Sequence, residues 1–206
     1  MNGQAHTKYL NWLERYAPWL LIGAGLLGTF ASLMLSIEEI DHLKHPAAKL
    51  ACDLNPIIGC GANMDVWQGH VFFGVPNELF GLITFVVVAT VGVAILAGAR
   101  FKRWFWLGLQ GGLLFGVTFV HWFMFQSLLV IKHLCPYCML TWLAVIVCFW
   151  YILLYGIRAE HIRLHGSLAR INRFIQQHHA DILVFWLLSI VTLILWRFWY
   201  YWQTLI

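Results

Sequence analysis

The sequence predicts an all-α integral membrane protein, a bundle of transmembrane helices joined by short connections. Three observations carry this expectation. The 206 residues are 61% hydrophobic and only 11% charged, where a soluble domain has about 45–50% apolar and about 25% charged residues. Five apolar runs are long enough to cross a bilayer, and aromatic residues gather at their ends. The same composition excludes a soluble enzyme, a disordered chain and a collagen-like rod. The net charge of +4 contains no dense basic tract of the kind that binds nucleic acid.

A spanning helix needs about 20 apolar residues, because every backbone N–H and C=O must be satisfied inside the segment. Pro18 to Ile37 is the first such run and Leu79 to Gly98 the second. Trp104 to Ile131 is a long third run without a charged side chain, and Cys138 to Ile157 is the fourth. The fifth runs from about residue 182 to Trp202 and holds one charge, Arg197, close enough to its end to snorkel. Trp104, Trp106, Trp196, Trp199, Tyr200, Tyr201 and Trp202 read as an interfacial aromatic belt.

Lysine and arginine set the orientation. Lys8 and Arg15 precede the first span, Arg100, Lys102 and Arg103 fill the second connection, and Arg158, Arg163, Arg170 and Arg173 fill the fourth. Only Lys44, Lys49, Lys132 and the edge residue Arg197 fall on the other side, so nine of the 13 basic residues share one face. The positive-inside rule then makes residues 1–17 a cytoplasmic segment and 158–181 a basic cytoplasmic connection. Residues 38–78 become an external connection, and 182–206 the fifth helix with a short external C-terminus. Within the external connection, Val71 to Val75 is apolar but too short to cross. It is expected to rest on the bilayer and pin the connection over the bundle.

This map sorts the five cysteines without reference to their chemistry. Cys52 and Cys60 lie in the long external connection, and Cys135 and Cys138 form Cys-Pro-Tyr-Cys where the fourth helix opens. All four face an oxidising compartment, in which disulfides persist. Cys148 lies about 15 Å further along that helix at 1.5 Å per residue and reads as a packing residue. The unpaired N–H groups and dipole of a helix's first turn favour a reactive thiolate, and Pro136 suits that turn because its missing donor is not needed there. Gly59 and Gly61 flank Cys60, which reads as a mobile cysteine able to exchange partners. Two other readings stay open from the residues alone. Cys52 and Cys60 form an inert structural disulfide, or the Cys135/Cys138 pair binds metal with His133, His121 or His70. His121 is the third span's candidate for a polar side chain facing a cavity.

Cys52-Asp53, Cys60, Pro76-Asn77, Phe80-Gly81 and Cys135-Pro-Tyr-Cys138, in this order, resemble the vitamin K epoxide reductase family, and Cys-Asp-Leu-Asn-Pro-Ile-Ile-Gly-Cys-Gly is similar to its bacterial members. The resemblance covers residues 18–157 and implies a four-helix transmembrane bundle around a quinone site, to which this chain adds a fifth helix. It implies a membrane thiol oxidoreductase that passes electrons from protein thiols to a quinone, ubiquinone or menaquinone, with no metal. Cys135 and Cys138 would be the active-site pair, Cys138 meeting the quinone. Cys52 and Cys60 would be the relay, Cys52 receiving electrons from outside and Cys60 handing them to Cys135. Asn77 matches the asparagine that hydrogen-bonds the quinone carbonyl, with Phe80 and Trp142 as further quinone contacts and Asp53 in a supporting place. Trp142 stands where some members carry a tyrosine, which puts reduction of an epoxide in doubt more than reduction of a quinone. Many bacterial relatives carry a thioredoxin-like domain after the fifth span. No such domain is expected here, and the expected thiol donor is a separate extracytoplasmic thioredoxin-fold protein of the DsbA type. The expected location is a bacterial inner membrane.

Overall fold

A computed structural model gives the fold. It describes residues 3–46, 49–159, 162 and 174–203, with side chains from Arg15 onward. Arg163, Arg170 and Arg173 of the basic connection lie outside the described residues, as does the C-terminus beyond Gln203. The order is α1 (Gly3–Lys44), the single turn α2 (Gly61–Met64), a 3-10 turn (Trp67–His70), α3 (Asn77–Leu96), α4 (Arg103–Phe125), α5 (Pro136–Arg158), α6 (His179–Arg197) and α7 (Trp199–Trp202). A π-helical turn, Gln126–Ile131, prolongs α4. Among the described residues five helices are long and apolar enough to cross a membrane.

Each span begins earlier than its apolar run, because hydropathy marks where lipid starts and the backbone marks where the helix starts. Pro76 precedes α3 and Pro136 opens α5, both where a missing N–H costs nothing. At its far end α1 continues through Glu38, Glu39 and Asp41 to Lys44, since charged residues leave the membrane without ending a helix.

Small residues bring α1 and α3 together, as is usual where lipid tails compete with side chains. A Cβ on Gly25 would lie 2.6 Å from the Ala89 amide, one on Gly92 would lie 2.7 Å from the Pro18 carbonyl, and one on Gly28 would overlap the Phe85 ring. α5 packs on α1 on one side and on α4 on the other. No comparable contact joins α3 to α4, so the bundle has a gap between these two helices.

α6 sits at the edge, with Leu183 its one buried residue. Leu183 packs against Val117, Ile146 and Leu154, and polar and aromatic contacts add to the hold on this helix and its continuation. Trp150 Nε1 donates to the His179 carbonyl at 2.9 Å, and Trp186 Nε1 donates to His121 Nε2 at 3.0 Å. Phe198, fully buried, inserts among Ile57, Phe123, Leu134 and Trp142. His121 Nδ1 meets the Val117 carbonyl at 2.7 Å. A carbonyl only accepts and an indole N–H only donates, so the imidazole carries its proton on Nδ1. Both ring nitrogens are thereby engaged, and His121 binds α6 to α4 rather than facing a cavity.

The aromatic belt loses one member. Trp104 and Trp196 are exposed, but Trp106 is buried in the core with its ring 4.6 Å from that of Tyr155. The Arg197 guanidinium lies 5.7 Å from the Phe198 ring. Cys148 is buried among Trp106, Ala144 and Ile152, a packing residue as read from the sequence.

Candidate active site

Backbone pairing between two distant connections builds the cysteine cluster. At the end of the π-helical turn Lys132 takes a left-handed conformation, φ 62°, and reverses the chain. Leu134 then donates its N–H to the Ile57 carbonyl at 2.8 Å and accepts that of Gly59 at 2.9 Å. The next residue on each strand is a cysteine. This register brings Cys135 Sγ to 3.7 Å from Cys60 Sγ. Cys60 is disulfide-bonded to Cys52, with their Cα atoms 5.8 Å apart, while Cys135 and Cys138 are free thiols.

Asp53 fixes the geometry around Cys60. Its Oδ1 accepts the Cys60 N–H at 2.8 Å and the Gly61 N–H at 3.4 Å. Gly59 lies so close that any Cβ there would overlap that same oxygen. Neither Gly59 nor Gly61 takes a positive φ; Gly59 serves close approach to Asp53, whereas a Cβ on Gly61 would make only ordinary contact, 3.6 Å from Asp53 Oδ2. Cys60 is fully buried and Cys52 is 3% exposed, so neither sulfur of the disulfide lies open at the surface. Cys135 caps α5, its Sγ accepting the Cys138 N–H at 3.2 Å. The first turn of the helix thus points a free N–H donor at the Cys135 sulfur.

Below the cysteines a cavity of about 650 Å³ fills the space enclosed by α1, α3, α4 and α5. Cys60 and Cys138 reach it, as do Asn77, Phe80 and Trp142. Its walls are otherwise mostly apolar, with Gly108, Gly112 and Gly116 in line along α4. Asn77 is held by the connection above it: Nδ2 donates to the Gln68 carbonyl at 2.6 Å, and Oδ1 accepts the Val71 N–H at 3.1 Å. Phe72 covers the gap between α3 and α4, its ring 5.0 Å from Phe80 and 5.2 Å from Phe119. Phe73 beside it is 97% exposed, so the Val71–Val75 stretch offers one ring to the bundle and one outward.

The arrangement is that of a thiol path running from a surface connection to a membrane cavity. The chain matches the model of the vitamin K epoxide reductase family over residues 19–153. The chain belongs to that family. No curated protein matches it significantly. Membership of the vitamin K epoxide reductase family carries a general class of activity, oxidoreduction of the disulfide and quinone kind.

Reading the sequence as a vitamin K epoxide reductase relative brings the four cysteines, Asp53, Asn77, Phe80 and Trp142 into view, but it misses other polar residues of the cavity. Glu39 is buried and pairs with His70 at 3.3 Å, and both line the cavity with Glu78. Glu78 Oε1 is buried without a hydrogen-bond partner. Asn63 also lines it. One signal was available in the sequence, a carboxylate directly after Asn77 at the start of a span, where charge is costly. His70 is committed to Glu39, and His133 Nδ1 lies 3.2 Å from the Ile131 carbonyl. Among the described residues no three His, Cys, Asp or Glu side chains converge as metal ligands.

Proposed function

We propose that the protein is a quinone-dependent protein-dithiol oxidoreductase that reoxidises an extracytoplasmic thioredoxin-fold partner of the DsbA type and so supports disulfide bond formation. It works in a bacterial inner membrane, N-terminus in the cytoplasm and cysteines at the external face. The observation that carries the reading is the 3.7 Å approach of Cys135 to the Cys52–Cys60 disulfide, with Cys138 opening onto the cavity.

A thiolate of the reduced partner attacks Cys52 and breaks its bond to Cys60; the partner's second thiol then displaces Cys52. The partner leaves as a disulfide, and Cys52 and Cys60 are left as thiols. Cys60 attacks Cys135 of a Cys135–Cys138 disulfide and releases the Cys138 thiolate. Cys52 closes on Cys60 and frees Cys135. This reproduces the pairing in the structure, a Cys52–Cys60 disulfide facing two free thiols. A quinone, ubiquinone or menaquinone, supplies the acceptor of two electrons and two protons. Cys138 delivers the electrons as its bond to Cys135 re-forms, and the two thiols release two protons. Glu78 Oε1, partnerless at the wall, is placed to hold a proton on its way. The fit of a quinone rests on the cavity's volume, its mostly apolar walls and its few polar groups at the cysteine end.

The test is quinone reduction by the purified protein with a reduced thioredoxin-fold donor. Cys138→Ser is expected to abolish quinone reduction, and Cys52→Ala to remove the mixed disulfide with the donor. Full quinone reduction by Cys138→Ser would overturn the mechanism.

A further inference from the structure

Asn63 belongs to α2, the turn that follows Cys60, and is 5% exposed. Ser127, fully buried on the π-helical turn, donates from Oγ to Asn63 Oδ1 at 3.3 Å. That bond orients the amide, with the carbonyl on Ser127 and the NH2 group turned away from it. Asn63 Nδ2 has no hydrogen-bond partner, and the residue lines the cavity. Buried donors are nearly always satisfied in native proteins, so an unmet one at a cavity wall marks where a ligand acceptor belongs. Asn77, nominated by the family resemblance, is differently placed, with its carbonyl and one N–H already spent on Val71 and Gln68.

We infer that Asn63 Nδ2 donates a hydrogen bond to a carbonyl oxygen of the quinone, with Ser127 as the positioning residue. This rests on the cavity being the quinone site. A donor near an oxygen that gains electron density is worth more as the charge grows, so Asn63 contributes to turnover as well as to binding. The apolar walls hold the ring without selecting its carbonyls, and Asn63 supplies that selection.

The test uses the full-length protein in lipid nanodiscs and a short-chain benzoquinone, its binding followed by quenching of tryptophan fluorescence. A para-xylene analogue of similar size, with methyl groups where the carbonyl oxygens stand and so no acceptor, is the control ligand, its binding read by displacement of the quinone. Asn63→Leu is expected to weaken benzoquinone binding about tenfold and leave the control ligand unchanged. Asn63→Gln, which keeps the donor, is expected to recover part of the loss, and Ser127→Ala to show a smaller one. Donor-thiol exchange at Cys52 and Cys60 should be unaltered in all three. Equal benzoquinone binding by Asn63→Leu and the unaltered protein would overturn the role of Asn63, as would a parallel loss of the control ligand. Failure of the unaltered protein to bind benzoquinone would instead remove the quinone reading itself, and this inference with it.

Discussion

At the scale of single residues, the site depends on a carboxylate that touches no sulfur in the exchange path. Asp53 holds the Cys60 amide at 2.8 Å and so fixes the sulfur that faces Cys135. A charge-assisted hydrogen bond to a buried amide contributes about 1.5–3 kcal/mol, less here because Asp53 is half-buried. Asp53→Ala is therefore expected to lower stability by about 1 kcal/mol. It should also slow donor oxidation while leaving quinone affinity unchanged, as stopped-flow thiol exchange and a quinone titration would show. Gly59→Ala should reproduce the defect, since its methyl overlaps the same oxygen. Normal donor oxidation in both variants would mean that Cys60 needs no such anchor. Glu78 poses the complementary case at the cavity end. Glu78→Gln keeps the shape of the side chain and removes its acid, so thiol exchange should persist while quinone turnover falls about a hundredfold, the lower range for a positioned proton donor. Unchanged turnover would assign the proton to another route. The sequence showed Asp53 beside Cys52 and Glu78 beside Asn77, but not what either carboxylate does. That depends on which amide or cavity wall each reaches across the fold.

Among the elements, the fifth span is the one whose purpose hydropathy leaves blank. Its outer face is exposed from Val184 to Leu195, so it adds little to the core along its length. Its end matters more, because Phe198 fills the space behind Trp142 and Leu134, next to both the cavity and the backbone pairing that sets the cysteine register. Phe198→Ala should cost about 3 kcal/mol, the usual result of emptying an aromatic site in a packed interior. Thermal unfolding would report that loss, and quinone-linked turnover should fall with it. Phe185→Ala, on the exposed face of α6, is the control and should change neither. Five spans and their connections were legible as apolar runs, because lipid imposes length and composition on any spanning helix. The π-helical turn, the left-handed Lys132 and the pairing of Leu134 with Ile57 and Gly59 were not, since each is fixed by partners distant in sequence. The result is that the spans and the charges assign the four cysteines to one face, whereas the approach of Cys60 to Cys135 was expected only from the family resemblance and not from any physical signal in the residues themselves.

For the whole molecule, the consequential feature is the gap between α3 and α4, since the cavity that Cys138 lines lies along it. α1 joins α3 through glycines, and α5 packs on both α1 and α4, so among the described helices of the bundle α3 and α4 are the neighbours that pack least, with Phe72 at the top of their seam. Gly108 and Gly112 meet nothing within 4 Å where a Cβ would stand, and both line the cavity. A side chain added at Gly112 therefore projects into open space, without displacing a neighbouring helix. Gly112→Leu should fold normally, retain donor-thiol exchange at Cys52 and Cys60, and raise the KM for quinone by at least about tenfold, because its branched end occupies volume the ligand needs. Gly111→Leu provides the matched comparison. Gly111 also has open space at its Cβ but is not part of the cavity wall, so the same leucine there should meet lipid and leave the KM alone. Quinone titrations on the two variants at saturating donor separate the cases: a raised KM only at Gly112 means that the acceptor occupies this cavity, whereas equal values at both positions would mean that electrons leave Cys138 by another path.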